Sequence, residues 1–179
     1  MKSISKLHAR WENIKSQRKL EIHWENNLIK HDEFVNRIES ERQFIKKSLD
    51  YYPDQNPRIG IFSKSSISNI ILGAALILEG LPQIIIPEDS RKVNFCKMIT
   101  NLQISYLVTD FEFDKNSLDK NIKRIGKTNE GFSVWLFNKV DFKNLFERDQ
   151  DSLLIGFTSG TTNGTPTLVK RTITDFLNY

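Results

Sequence analysis

Ten residues near the end of the chain combine types that suit phosphate chemistry: Phe157-Thr158-Ser159-Gly160-Thr161-Thr162-Asn163-Gly164-Thr165-Pro166. Glycine lets the backbone approach an anion closely and adopt positive φ. Successive backbone N–H groups then form a concave nest for negative charge. Ser and Thr hydroxyls add donors with little bulk. The same residues also fit a polar hairpin between two strands, because Asn163-Gly164 is a strong hairpin signal. The segment is not a Walker A loop, since no Gly-Lys-Ser/Thr follows Gly160 at the required spacing.

Whatever the loop does, its neighbours must hold it. The apolar run Leu153-Leu154-Ile155-Gly156-Phe157 predicts a buried strand entering it, and Thr167 to Thr172 a strand leaving it. Thr174 to Leu177 looks like the start of a helix. Upstream, Arg58 to Phe62, Gln83 to Pro87 and Ile104 to Thr109 predict short strands. Helices are expected between them over Ile67–Glu79, stopped by Gly80 and Pro82, and over Ser90–Leu102. Strand–helix–strand alternation at this spacing implies an α/β fold, a mostly parallel sheet flanked by helices. Gly131 to Phe137 predicts another strand. Phe111 to Asn129 is expected to be irregular, and Asp141 to Asp151 to lie on the surface.

Ahead of these elements, Leu7, Trp11 and Ile14 fall at helical spacing. Leu20 to Trp24 and Leu28-Ile29 suggest a short hairpin. Phe34, Ile38, Phe44, Ile45 and Leu49 share a face of a long helix that begins near His31-Asp32. The break at Tyr51 to Pro57 suggests an N-terminal portion, 1–57, and an α/β portion, 58–179, within one incomplete domain. The alternating charges from Glu39 to Lys47 are most simply a solvated helix face. Lys64, between Ser63 and Ser65, is a solvated loop charge or a group facing the ligand crevice, where sheet-end loops of α/β folds lie.

Bulk properties narrow the function. The chain has 179 residues and a formal charge of +4, its charges interspersed rather than blocked. That argues for a solvated surface rather than a nucleic-acid partner. Cys96, the one cysteine, cannot form an internal disulfide, which suits a reducing cytoplasm. It sits in a helical pattern with no activating neighbour and reads as structural. No signal sequence and no membrane span are expected. His8, His23 and His31 lack companions at metal-ligand spacing, so no metal is expected to be held by protein ligands. Trp11, Trp24 and Trp135 are expected to pack in the core or hairpin.

The stretch Thr158 to Pro166 closely resembles the signature loop of the acyl-adenylate-forming superfamily: acyl- and aryl-CoA ligases, adenylation domains of nonribosomal peptide synthetases, and luciferases. The continuation Leu168-Val169-Lys170-Arg171-Thr172 is most similar to the aryl-acid-activating branch. The upstream order, from Ser63-Lys64-Ser65 through Glu79-Gly80 and Pro87 to Leu107-Val108-Thr109-Asp110, follows that family's N-terminal subdomain. The resemblance covers roughly residues 20 to 179. It implies that ATP and a carboxylic acid form an acyl-adenylate and pyrophosphate, and that the acyl group passes to a coenzyme A or carrier-protein thiol. It implies phosphate-binding roles for Thr158, Ser159, Gly160, Thr161, Thr162, Gly164 and Thr165, with Mg²⁺ bridging the phosphates. Three departures stand beside it. Thr167 occupies the place after Pro166 where the family usually carries Lys, and Ile173 stands where it often has His. The family's adenine, ribose and catalytic-lysine motifs have no counterpart before Tyr179. The expectation is therefore a piece that is catalytically incomplete as an isolated chain, with catalytic residues unassigned. The alternative is a non-catalytic binding or assembly module derived from that fold, partnering another polypeptide.

Overall fold

A computed structural model describes residues 2–17, 21–24, 27–49, 57–64, 66–86, 95–111, 122–137, 152–158 and 167–178. Two sheets form. The smaller is an antiparallel pair, β1 (Glu21–Trp24) with β2 (Asn27–Lys30), the hairpin expected from the alternating pattern. The larger has seven strands: β3 (Ile59–Phe62), β4 (Gln83–Ile85), β5 (Tyr106–Thr109), β6 (Ile122–Lys127), β7 (Ser133–Phe137), β8 (Ser152–Thr158) and β9 (Thr167–Thr172). Their order is β6-β7-β5-β3-β4-β8-β9. Strands β5, β3, β4 and β8 form a parallel centre. Antiparallel pairings add β7 and β6 at one edge and β9 at the other, so β7 and β9 alone run against the rest.

Five helices complete the described structure: α1 (Lys2–Gln17), α2 (His31–Leu49), α3 (Ile67–Leu78), α4 (Phe95–Asn101) and α5 (Ile173–Leu177). One sheet face carries Ile59, Ile61, Tyr106, Val108 and Val134, packed with Trp11 of α1, Phe34, Ile38 and Ile45 of α2, and Ile71, Leu72, Ala75 and Leu76 of α3. The opposite face carries Phe62, Ile84, Leu107, Trp135 and Ile155, packed with Ile99 of α4 and with Leu102 and Ile104 just beyond it. Central strands are therefore apolar on both faces, which is why they appear in sequence as β-branched runs without alternation.

Helix ends follow local chemistry. Ser66 caps α3, its side chain accepting from the Asn69 amide. At the other end Gly80 takes φ +69°; Gly80 N–H donates to Ile77 O at 3.0 Å and Leu81 N–H to Leu76 O at 3.0 Å. This double bond pattern requires a left-handed residue, and Gly80 supplies it. The same arrangement ends α4, but with Gln103 at φ 53°.

Two expectations are corrected. Residues 122–127, expected to be irregular, form strand β6. A tight turn pairs it with β7: Thr128 N–H donates to Phe132 O at 2.8 Å, and Gly131 turns at φ +89°. A register shift between Arg124 and Gly126 interrupts the two-residue periodicity that would have announced the strand. The stretch Glu39 to Lys47 is not simply a solvated face. Glu41 is 0% exposed, in line with Phe34, Ile38 and Ile45. Arg42 donates to Glu79 at 2.7 Å and to Glu39 at 2.9 Å, tying α2 to the end of α3.

Candidate functional site

Four parallel strands end at one edge of the sheet. Strand β3 has β4 on one side and β5 on the other, so the chain leaves it in one direction and later returns on its far side. The crevice outside the carboxyl ends at such a reversal is where α/β folds hold ligands. The loops leaving β3 and β5 meet there. Lys64 N–H donates to Asp110 Oδ2 at 3.1 Å. Asn69 Nδ2 donates to Lys64 O at 2.7 Å, and Ser63 Oγ bonds Asn69 Oδ1 at 2.6 Å. The Lys64 backbone is thus held on both sides while its side chain stays exposed. Below the loops, the Phe62 and Phe111 rings pack at 5.4 Å, and Thr109 Oγ1 accepts from Phe111 N–H at 3.1 Å.

Thr158 is the last residue of β8 and pairs with Thr167, the first of β9. Because β8 runs parallel to β4 and hence to β3, the Thr158–Thr167 end of the hairpin lies at this same carboxyl edge. Two strand spacings, roughly 10 Å, separate β8 from β3. Ser159, Gly160, Thr161, Thr162, Gly164 and Thr165 lie outside the described residues, as does Ser65. The hairpin itself is firmly seated on one face, where Ile155 registers with Ile84. On the other, Ile85 is 45% and Val169 44% exposed, with Gly156, the partner of Val169, beside them.

Sequence reasoning passed over Asn69, which closes the β3 loop, although a polar residue three positions after the cap Ser66 was a usable signal. It also passed over a charged cluster beside this edge. Arg37 Nε donates to Glu130 Oε1 at 2.8 Å, and its Nη2 contacts Ser68 Oγ at 3.5 Å in the first turn of α3. Glu130 N–H donates to Glu41 Oε1 at 2.5 Å. Burial pushes the Glu41 carboxyl up to about 7, with a further push from Glu130; the Glu130 and Asn129 amides and the Thr128 hydroxyl oppose it. A carboxylate at helical spacing within an apolar stripe was its sequence signal. Among the described residues, no group of three or more His, Cys, Asp or Glu side chains could hold a metal ion. Among them also, no helix is long and apolar enough to cross a membrane.

Similar architectures occur among solved structures. The o-succinylbenzoate coenzyme A synthetase of Bacillus subtilis, in complex with AMP, superposes with a TM-score of 0.58 at 16% identity, over 90% of this chain and 42% of that one. The Klebsiella oxytoca NpsA N-terminal subdomain, in complex with 3-hydroxyanthranilyl-AMSN, gives 0.56 at 14%, over 96% and 40%. PA1221, a nonribosomal peptide synthetase protein containing adenylation and PCP domains, gives 0.56 at 16%, over 96% and 32%. This chain has the fold of the N-terminal part of an adenylate-forming enzyme. It spans less than half the length of each of these proteins. No protein-family model matches the sequence, and no curated protein matches it.

Proposed function

We propose that this chain is the phosphate-holding part of an ATP-dependent ligase that activates a carboxylic acid as its acyl-adenylate. Thr158, Ser159, Gly160, Thr161, Thr162, Gly164 and Thr165 cradle the β- and γ-phosphates of ATP through backbone N–H groups and hydroxyls. The acid's carboxylate oxygen attacks the α-phosphorus, the bond to the bridging oxygen of pyrophosphate breaks, and pyrophosphate leaves with the charge the loop has neutralised. The acyl group then passes to a coenzyme A or carrier-protein thiol. The observation that carries this reading is the Thr158–Thr167 pair. That pair lies at the carboxyl edge of a sheet with an adenylate-forming fold, and the sequence between its two members, 159–166, is the signature-like one. That edge suits a triphosphate, because donors held by rigid strands need little reorganisation when charge develops. Among the described residues no group of three or more His, Cys, Asp or Glu side chains would hold Mg²⁺.

As an isolated chain the protein binds ATP and pyrophosphate weakly and does not turn over. Calorimetric titration with each ligand tests the first statement. Replacing both Thr161 and Thr162 by Ala should weaken binding about tenfold, the loss of one to two hydrogen bonds to a charged group. Binding unchanged by that double substitution, or no binding by the wild type, refutes the phosphate role. ATP–pyrophosphate exchange by the isolated chain refutes the claim that it is incomplete.

A further inference from the structure

Helix α2 meets the β6–β7 hairpin through four contacts in succession. Arg37 pairs with Glu130; Asn129 Nδ2 donates to Ser40 O at 2.9 Å; Glu41 accepts from Glu130 N–H; Phe44 faces Gly126. Three of these contacts are indifferent to a proton near neutrality. Glu41 is not. Its carboxyl is fully buried: Oε1 accepts from the turn, Oε2 is buried without a hydrogen-bond partner, and the Asn129 amide and Thr128 hydroxyl offset the burial only in part. A carboxylate there is an incompletely solvated charge, whereas a carboxylic acid is tolerated.

We propose that Glu41 is a proton-operated latch between α2 and the turn at Thr128–Phe132: held firmly when its carboxyl is protonated, loosened when it ionises. The sign follows from two states. With the turn closed, the carboxyl titrates at about 7; with the turn open to water it returns to its ordinary value of 4.5. Protons therefore favour the closed turn. The latch is at full strength below about 4.5 and is lost as pH rises through about 7. The charged groups facing the cluster are Glu130 on the turn, and Arg37 with Glu33 on α2; Ser68, from α3, is neutral. Burial pushes Glu130 up, but its bonds to Arg37 and Ser68 leave it below the ordinary value, so it is ionised throughout this window. Arg37, raised by Glu130, stays cationic. Glu41 alone changes state. The turn leads directly into Ser133, whose register partner is Thr109 at the carboxyl end of β5. Loosening it therefore reaches the edge where the β3 and β5 loops meet.

Hydrogen exchange of the Glu130 amide, corrected for intrinsic pH dependence, tests the latch in the full chain. The two titration values predict a fall in protection of about 40-fold between pH 5 and pH 7. Glu41→Gln should keep the acceptor and flatten that profile. A carbon-13 titration of the wild-type side chain should find the Glu41 carboxyl titrating near neutrality, and it stands even if the variant fails to fold. A Glu41 titration in the ordinary carboxylate range, unchanged protection across the window, or an equal fall in Glu41→Gln each overturns the proposal.

Discussion

Two glycines of the large sheet should answer the same substitution in opposite ways. Gly60 lies in β3 on the face packed by α4. A Cβ there would stand 2.9 Å from Ile104 Cδ1, 3.1 Å from Ile104 Cγ2 and 3.2 Å from Ile86 Cδ1. Ile104 and Ile86 are both buried, so neither can swing aside without displacing other core atoms. Overpacking of this kind costs about 1–3 kcal/mol. The stiffer unfolded chain of an alanine variant returns about 0.4–1 kcal/mol, leaving a net loss of about 1–2 kcal/mol. At Gly156, in β8, a Cβ meets nothing within 4 Å. Only the unfolded-chain effect remains, a gain of about 0.5 kcal/mol. Gly60→Ala and Gly156→Ala should therefore differ by about 2 kcal/mol, or roughly 4–8 °C in melting temperature for a chain of this size. Thermal melts at one pH and protein concentration measure the gap. A Gly60→Ala variant as stable as wild type, or a Gly156→Ala variant that falls equally far, would refute the packing derived for the two faces.

Further expectations concern single contacts. Gln103→Gly should stabilise by about 0.5–1 kcal/mol, read from the urea midpoint, because it removes a left-handed non-glycine residue from the end of α4. Arg42→Ala should destabilise by about 2 kcal/mol, since it leaves the mostly buried Glu79 carboxylate with only the longer contact to the exposed Lys46 at 3.6 Å and weakens the tie between α2 and α3; Arg42→Lys should recover only part of this. Acid should act through Glu39. Burial raises its carboxyl, but the Trp11 indole at 2.5 Å and Arg42 hold it net below 4.5. That contribution is present above 4.5 and lost as pH falls through the lower folded value, the reverse of Glu41. A melting profile from pH 3 to pH 8 should thus decline on both sides of a maximum near pH 5, and Trp11→Phe should flatten its acid limb.

The buried centre of the sheet was legible in sequence because its strands face cores on both sides, Tyr106 and Val108 packing on one face and Leu107 on the other, which leaves short apolar runs without alternation. The first two helices and the hairpin between them were legible from period alone. Strand β6 was not: the shift between Arg124 and Gly126 places Ile122 and Ile125 three apart, and the exposed Lys123 and Arg124 resemble a loop. The Arg37–Glu130–Glu41 cluster was hidden for another reason. Its members are distant in sequence, and an ion pair across 93 positions leaves no local pattern. At the candidate site the sequence supplied the loop's residue types, while the pairing of Lys64 with Asp110 across 46 positions came only with the fold.

The hairpin that carries the loop joins the parallel sheet through a narrow seam, Gln83 with Leu154 and Ile84 with Ile155. Those partners lie 71 positions apart, whereas β8 and β9 find each other across a short loop. Long-range parallel pairing is slow, because the chain between must be ordered before the contact rewards it. Strands β8 and β9 should therefore zip together early and dock late. The anchor of residues 159–166 would then be among the last parts of the sheet to assemble, after the core that supports it already exists.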